Sequence, residues 1–145
     1  MILKVKKLNE NATLPTRGSE YAAGWDLYAN IDEPLTIQPN KMIKISSGIA
    51  IELPINTFGG VFARSGLATK KGLRPANCVG VVDEDYRGPV IVPLYNDSEE
   101  PVIIEPNERI AQLIVLPYIN FEINEVAELS ETERAESGFG STGTK

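Results

Sequence analysis

Ten prolines are spread along a chain of 145 residues. They leave almost no room for a long helix, because each one removes a backbone donor and clashes with the preceding helical turn. Between them lies a series of short apolar runs separated by Gly, Pro and Asn: ILKVKKL, KMIKIS, GIAIEL, GGVFA, VGVV, PVIVPLY, PVIIE, RIAQLIVLPYI and FEINEVAEL. Runs of this length and punctuation read as strands joined by turns. Many short strands at regular spacing predict an all-β fold, as a sandwich, jelly roll or barrel. One helix of one or two turns is expected after Gly66, in LATKKG. RIAQLIVLPYI is apolar on both faces for much of its length, which suits a strand buried between two sheets or against another subunit.

The length is that of one domain, able to bury roughly 70% of its unfolded surface. Apolar residues make up 42% and charged residues 23%, normal for a globular chain. No apolar run approaches the ~20 residues that span a bilayer, and MILKVKKLNE lacks a signal-peptide pattern, so a cytosolic location is expected. The single cysteine, Cys78, excludes an internal disulfide and a multi-cysteine zinc site within one chain. It reads as a small core residue rather than a reactive thiol.

Histidine is absent, so Ser-His and Cys-His pairs cannot exist and a general base must be a carboxylate, tyrosine or lysine. The net charge of −6 argues against a broad nucleic-acid surface. An anionic ligand would need local arginines or a divalent cation. A metal held without imidazole or clustered thiolates should be hard and oxygen-ligated, which points to Mg²⁺.

Five stretches carry chemistry. In FARSGLATKKG, Arg64, Ser65 and Gly66 stand where a strand gives way to the expected helix. Free backbone N–H groups, an open glycine and a forked cation there suit a phosphate, although a plain turn with Ser65 as N-cap and Arg64 in an ion pair fits as well. In NCVGVVDEDYRG, Asp83 follows Val81 and Val82 at a strand end and can hold a water. Alternate residues face opposite ways, so Asp83, Glu84 and Asp85 cannot share one role. Tyr86 offers a flat face and Asn77 an amide, while a solvated acidic turn is the simpler alternative. In AAGWDLYA, Asp26 sits among apolar residues and must be paired, hydrogen-bonded or near a metal. In ERIAQL, the odd spacing of Arg109 and Gln112 puts them on opposite faces unless a bulge or strand end intervenes. In the tail, RAESGFGSTGTK, hydroxyls and N–H groups among glycines can wrap phosphates and Phe139 can stack on a base; a frayed end has the same composition.

Together, in this order, the five stretches resemble the five motifs of the trimeric dUTP pyrophosphatases (dUTPases): AAGWDL, ARSGLA, GVVDEDYRG, RIAQL and RAESGFGSTG. The resemblance runs from about Ala22 to Gly143. It implies a jelly-roll subunit over residues 1–133, a C-terminal strap over 134–145, and a homotrimer with sites at subunit interfaces. It further implies hydrolysis of dUTP to dUMP and pyrophosphate with Mg²⁺, which lowers dUTP and supplies dUMP for thymidylate synthesis. Asp83 matches the aspartate that activates the attacking water. Tyr86 matches the tyrosine under the deoxyribose, and Asn77, Gly80, Val81 and Val82 match the uracil-reading hairpin. Arg64, Ser65, Gly66 and Gln112 match phosphate contacts, and Asp26 matches the carboxylate that holds metal-bound waters. Arg134 matches a γ-phosphate contact, Phe139 the ring that stacks on uracil, and Gly140, Ser141 and Thr142 the residues that wrap the phosphates. No role is assigned to Arg109.

The chain departs from the family pattern at Ala63, where proline is common, and at Ala135 and Ser137, where glycine is common. Pro89, after the third motif, lacks a ladder donor and suggests that its strand starts at a sheet edge. The alternatives are a dCTP deaminase of the same fold and a non-catalytic nucleotide-binding module. The 12-residue tail spans up to ~40 Å when extended, enough to reach a neighbouring subunit.

Overall fold

The computed structural model describes residues 2–132 and residue 135. Among the described residues ten strands follow one another in the order β1 (Lys4–Lys7), β2 (Trp25–Tyr28), β3 (Leu35–Ile37), β4 (Met42–Glu52), β5 (Thr57–Phe62), β6 (Leu73–Pro75), β7 (Gly80–Val82), β8 (Pro89–Asn96), β9 (Val102–Ile104) and β10 (Arg109–Pro117), with the helix α1 (Ser65–Lys71) between β5 and β6. They form two four-stranded antiparallel sheets, β1-β4-β8-β6 and β2-β10-β5-β7, and a two-stranded ribbon, β3-β9. One apolar core joins them. Ile45, Val92 and Leu94 enter it from the first sheet, Leu27, Val61 and Leu113 from the second, and Ile37 and Ile104 from the ribbon. This is the all-β fold expected from the strand pattern, in the jelly-roll form that the family resemblance implies. No helix among the described residues is long and apolar enough to cross a membrane.

β8 illustrates why the alternating sequence folds this way. Val90, Val92, Leu94 and Asn96 are buried while Pro89 and Ile91 between them are exposed, the two-residue period of a half-buried strand. Its inner polar residue, Asn96, is completely buried but satisfied. Its amide donates to Ile37 O (2.9 Å) and Glu100 O (2.8 Å), and its oxygen accepts from Ser98 N and Oγ. It thereby ties β8 to the ribbon. Contrary to the expectation from Pro89, β8 lies inside its sheet, between β4 and β6. Pro89 is tolerated because it is the strand's first residue. Pro93 is tolerated because β6 ends at Pro75, before the point where the missing donor would be needed; Ala76 N still donates to Pro93 O at 2.7 Å.

KMIKIS and GIAIEL, read as two runs, are one strand, β4, broken by a register shift between Ser46 and Ala50. Gly48 at the shift has φ 71°, and a Cβ there would strike Asn30 and Ala12. The bend lets the first half pair with β8 and the second with β1. FEINEVAEL, expected as a strand, has no regular structure, and Phe121, Ile123 and Leu129 are exposed. Its β-like alternation finds no pairing partner among the described residues of the chain. Cys78 is also corrected: it is exposed, with φ 62°, in the turn after β6 rather than in the core.

Candidate active site

α1 begins at Ser65, two residues earlier in the sequence than expected, and its N-cap is Arg64, with no side-chain cap hydrogen bond. Ser65 is thus the first helical residue and not the cap. Leu67 anchors the helix in the core, Lys70 and Lys71 sit in its last turn, and Gly72 closes it in the left-handed conformation (φ 66°), a common helix ending. Ser65 and Gly66 are exposed, and a Cβ added at Gly66 would meet nothing within 4 Å.

The Arg64 side chain turns back over β2. Its Nε donates to Asp26 Oδ1 at 2.7 Å, and Arg109 Nη1 donates to the other oxygen, Oδ2, at 3.2 Å. Arg64 Nη1 also donates to the Arg109 carbonyl at 3.2 Å. Asp26 is 8% exposed, so the two guanidinium groups answer the question its sequence context raised: a buried carboxylate is paired. Gln112 stands across from Asp26 in the β10–β2 ladder, and its Nε2 donates to the Ala63 carbonyl at 2.9 Å. Gly24 makes room for it, since a Cβ at that position would overlap Gln112 Oε1. The odd spacing of Arg109 and Gln112 is reconciled by a register shift between Arg109 and Ala111. That bulge re-aims Arg109 toward Asp26, as bulges beside functional sites do. Three separate stretches thus meet in one interlocked cluster whose remaining guanidinium N–H groups suit an oxyanion.

The second group of residues lies on the hairpin after β7. Val82 is buried, Val81 is 63% exposed, and Asp83, Asp85 and Tyr86 are exposed. Tyr86 N donates to Asp83 O (3.1 Å) across the turn, and Tyr86 Oη donates to Pro89 O (3.0 Å). Its ring lies over Gly88, where a Cβ would collide with it. Asn77 is exposed in the turn before β7, its amide beside Gly80. A shallow cavity of about 590 Å³ opens among Phe58, Val81, Asp83, Glu84, Asp85 and Tyr118. Tyr118 was not singled out by sequence. Glu84 accepts its hydroxyl, and that hydrogen bond, then burial, holds the Tyr118 pKa above the usual value.

The register fixes how far apart the two groups are. Val82 pairs with Gly59, so Asp83 stands across from Phe58, six residues before Arg64. At ~3.3 Å per residue they are about 20 Å apart on one chain. Both occur on the outer face of the sheet β2-β10-β5-β7. Between them that face carries Phe58, Val81, Ile114 and Leu116, which are exposed or half-buried. Gly60 lies opposite both Val81 and Ile114. Arg134, Phe139, Gly140, Ser141 and Thr142 lie outside the described residues.

The Mg²⁺ expectation can be tested against the donor set. Among the described residues no three His, Cys, Asp or Glu side chains gather where they could hold a metal. A carboxylate has about four lone-pair positions, and the arginines use two of those on Asp26. What remains suits a magnesium ion held mainly by phosphates and waters.

The dUTPase family pattern matches residues 10–143. A deoxyuridine 5'-triphosphate nucleotidohydrolase of Hydrogenobaculum sp. is 47% identical over 145 residues, covering 100% of both chains. One of Desulfitobacterium hafniense is 49% identical over 131 residues, covering 90% of this chain and 87% of that one. A dUTPase of Staphylococcus bacteriophage 80alpha, solved with dUpNHpp, superposes with a TM-score of 0.86 at 29% identity, covering 98% of each chain. A dUTPase from phage phi11 of S. aureus, described with a structural Mg(II) ion, shares the fold with a TM-score of 0.81 at 22% identity, covering 90% of this chain and 100% of that one. The chain belongs to the dUTPase family, the deoxyuridine 5'-triphosphate nucleotidohydrolases.

Proposed function

We propose that the protein hydrolyses dUTP to dUMP and pyrophosphate by attack of an Asp83-activated water, in sites shared between chains of a homotrimer. The observation that carries this reading is the separation of two complementary half-sites. Arg64, Arg109 and Gln112 cluster around Asp26 at one end of a sheet face, and Asp83 with Tyr86 heads a hairpin about 20 Å away. Hydrolysis needs the water and the phosphorus within ~3–3.5 Å, so the halves must come from different chains. The half-exposed apolar face between them, with Phe58, Ile114 and Leu116, and the exposed Phe121 and Ile123 beyond β10 support such an assembly.

In this reading Arg64 and the backbone at Ser65 and Gly66 bind the phosphates, and Gln112 adds an amide. The Asp26 carboxylate orients the arginines and, with magnesium bound, would hold waters of the ion. Bound magnesium supplies charge neutralisation on the triphosphate. Asp83 takes the proton of the attacking water, the role left to a carboxylate in a histidine-free chain. Tyr86 packs under the deoxyribose and excludes a 2'-hydroxyl, while Asn77 and the backbone of Gly80, Val81 and Val82 read uracil. Residues 134–145 form a strap beyond the 1–133 domain. There Arg134 contacts the γ-phosphate, Phe139 stacks on uracil, and Gly140, Ser141 and Thr142 wrap the phosphates of a neighbouring subunit's site. The enzyme works in the cytoplasm on the free nucleotide.

The test is to incubate the protein with Mg²⁺ and, separately, dUTP, dCTP and UTP. Pyrophosphate from dUTP alone is the expected result. Ammonia from dCTP would make it a deaminase, and binding without either product would make it a nucleotide-binding module.

A further inference from the structure

β7 is three residues long and lies at the edge of its sheet, a weak mount for a hairpin that must hold a general base in place. Additional fixing comes from the residue next to that base. Glu84 Oε2 accepts from Asn56 N at 2.7 Å and from Tyr118 Oη at 3.2 Å. Tyr118 N in turn donates to Asn56 O at 3.1 Å, which closes a ring of hydrogen bonds through Glu84, Asn56 and Tyr118. Asn56 is in the left-handed conformation (φ 58°) in the turn before β5, a conformation asparagine tolerates better than most residues. Tyr118 directly follows β10. The Glu84 main chain is held as well, since Arg87 Nη1 donates to its carbonyl at 2.6 Å.

We propose that Glu84 is a positioning residue: its side chain latches the Asp83 hairpin to the β4–β5 turn and to the end of β10, and so sets where Asp83 stands. The proposal rests on the assignment of Asp83 as the base. Glu84 sits in the turn after β7, and its acceptor oxygen is already committed to two donors. The raised pKa of Tyr118 keeps its hydroxyl a donor through neutral pH, so the ring persists where the enzyme works. A displacement of the base by about an ångström is enough to cost up to ~10²-fold in rate.

The experiment uses the full chain with Glu84→Ala, Glu84→Gln, Tyr118→Phe and the Glu84→Ala/Tyr118→Phe double variant. Glu84→Ala should lower kcat on dUTP about tenfold with KM changed less than about twofold. Glu84→Gln keeps an oxygen acceptor but loses the charge, and should recover most of that loss. Tyr118→Phe should give part of the loss, and the double variant should be no worse than Glu84→Ala, because both act through one ring. Wild-type kcat in Glu84→Ala, equal damage from Gln and Ala, or additive losses would each overturn the latch. A second readout needs no catalysis: amide exchange over residues 83–88 should quicken in Glu84→Ala and Tyr118→Phe, and unchanged exchange also overturns it. Absence of pyrophosphate release by the wild type would instead sink the functional reading, leaving the exchange result to judge the latch alone.

Discussion

Asp26→Asn should destabilise the protein through the arginine cluster, and the size of the effect follows from the geometry. The amide keeps one oxygen for one guanidinium and turns an NH2 group toward the other, where donor faces donor. A hydrogen bond to a charged group contributes about 1.5–3 kcal/mol. The Arg64 contact is short, at 2.7 Å, and its side chain is 26% exposed, so a value near the middle of that range, about 2 kcal/mol, is appropriate. The Arg109 contact is longer, at 3.2 Å, and its side chain is 49% exposed, so it behaves like a surface pair of about 0.5 kcal/mol. The sum of about 2–3 kcal/mol corresponds to a fall in Tm of about 5–10 °C for a chain of this size. Thermal unfolding followed by Trp25 fluorescence, at one fixed protein concentration because assembly shifts Tm, measures it. Arg109→Gln, which removes only the outer contact, should lower Tm by about 1–3 °C. An Asp26→Asn Tm equal to wild type, or an Arg109→Gln loss as large as that of Asp26→Asn, would refute the reasoning.

Three further outcomes are expected. Asp83→Asn should cut turnover ~10²-fold or more with little change in nucleotide affinity; a variant that keeps most of its turnover would move the base to Asp85, since Glu84 is engaged with Asn56 and Tyr118. Tyr86→Ala should raise activity on UTP relative to dUTP, and an unchanged ratio in steady-state assays would assign sugar selection to the backbone. Truncation after Glu133 should leave a folded assembly by sedimentation but reduce hydrolysis steeply, with Phe139→Ala milder because stacking on a base contributes about 1–3 kcal/mol. Full activity of the truncated chain would dismiss the strap.

The all-β architecture was legible because proline spacing and two-residue alternation are local properties, as in Val90, Val92 and Leu94 of β8. β3 (LTI) and β6 (LRP) were not: each is three residues long and interrupted by a polar residue, whereas β7 and β9, equally short, lie in the unbroken apolar runs VGVV and PVIIE. The pairing of Asp26 was foreseen as a requirement, but its partners were not, because the bulge that brings Arg109 to it is a property of the ladder between β10 and β2. Gly24 next to Trp25 and Asp26 was the available signal for a close neighbour, and the neighbour is Gln112. Cys78 misled because small apolar residues are usually buried, whereas here a tight turn demanded a positive φ at that position. FEINEVAEL misled for the opposite reason. Its pattern is that of a strand, and pattern alone does not supply a pairing partner.

On the shared-site reading proposed above, with Asp83 of one chain meeting Arg64 of another, inactivation stops being a property of a single gene copy. A chain damaged only at Asp83 and a chain damaged only at Arg64 can mend each other when mixed, because some junctions between them unite the two intact halves. A chain damaged at both ends has nothing to lend, and one that cannot associate is silent without harming its neighbours. On that reading the separation of the Asp83 hairpin, after β7, from Arg64, after β5, decides which alleles complement, which are merely null and which are dominant.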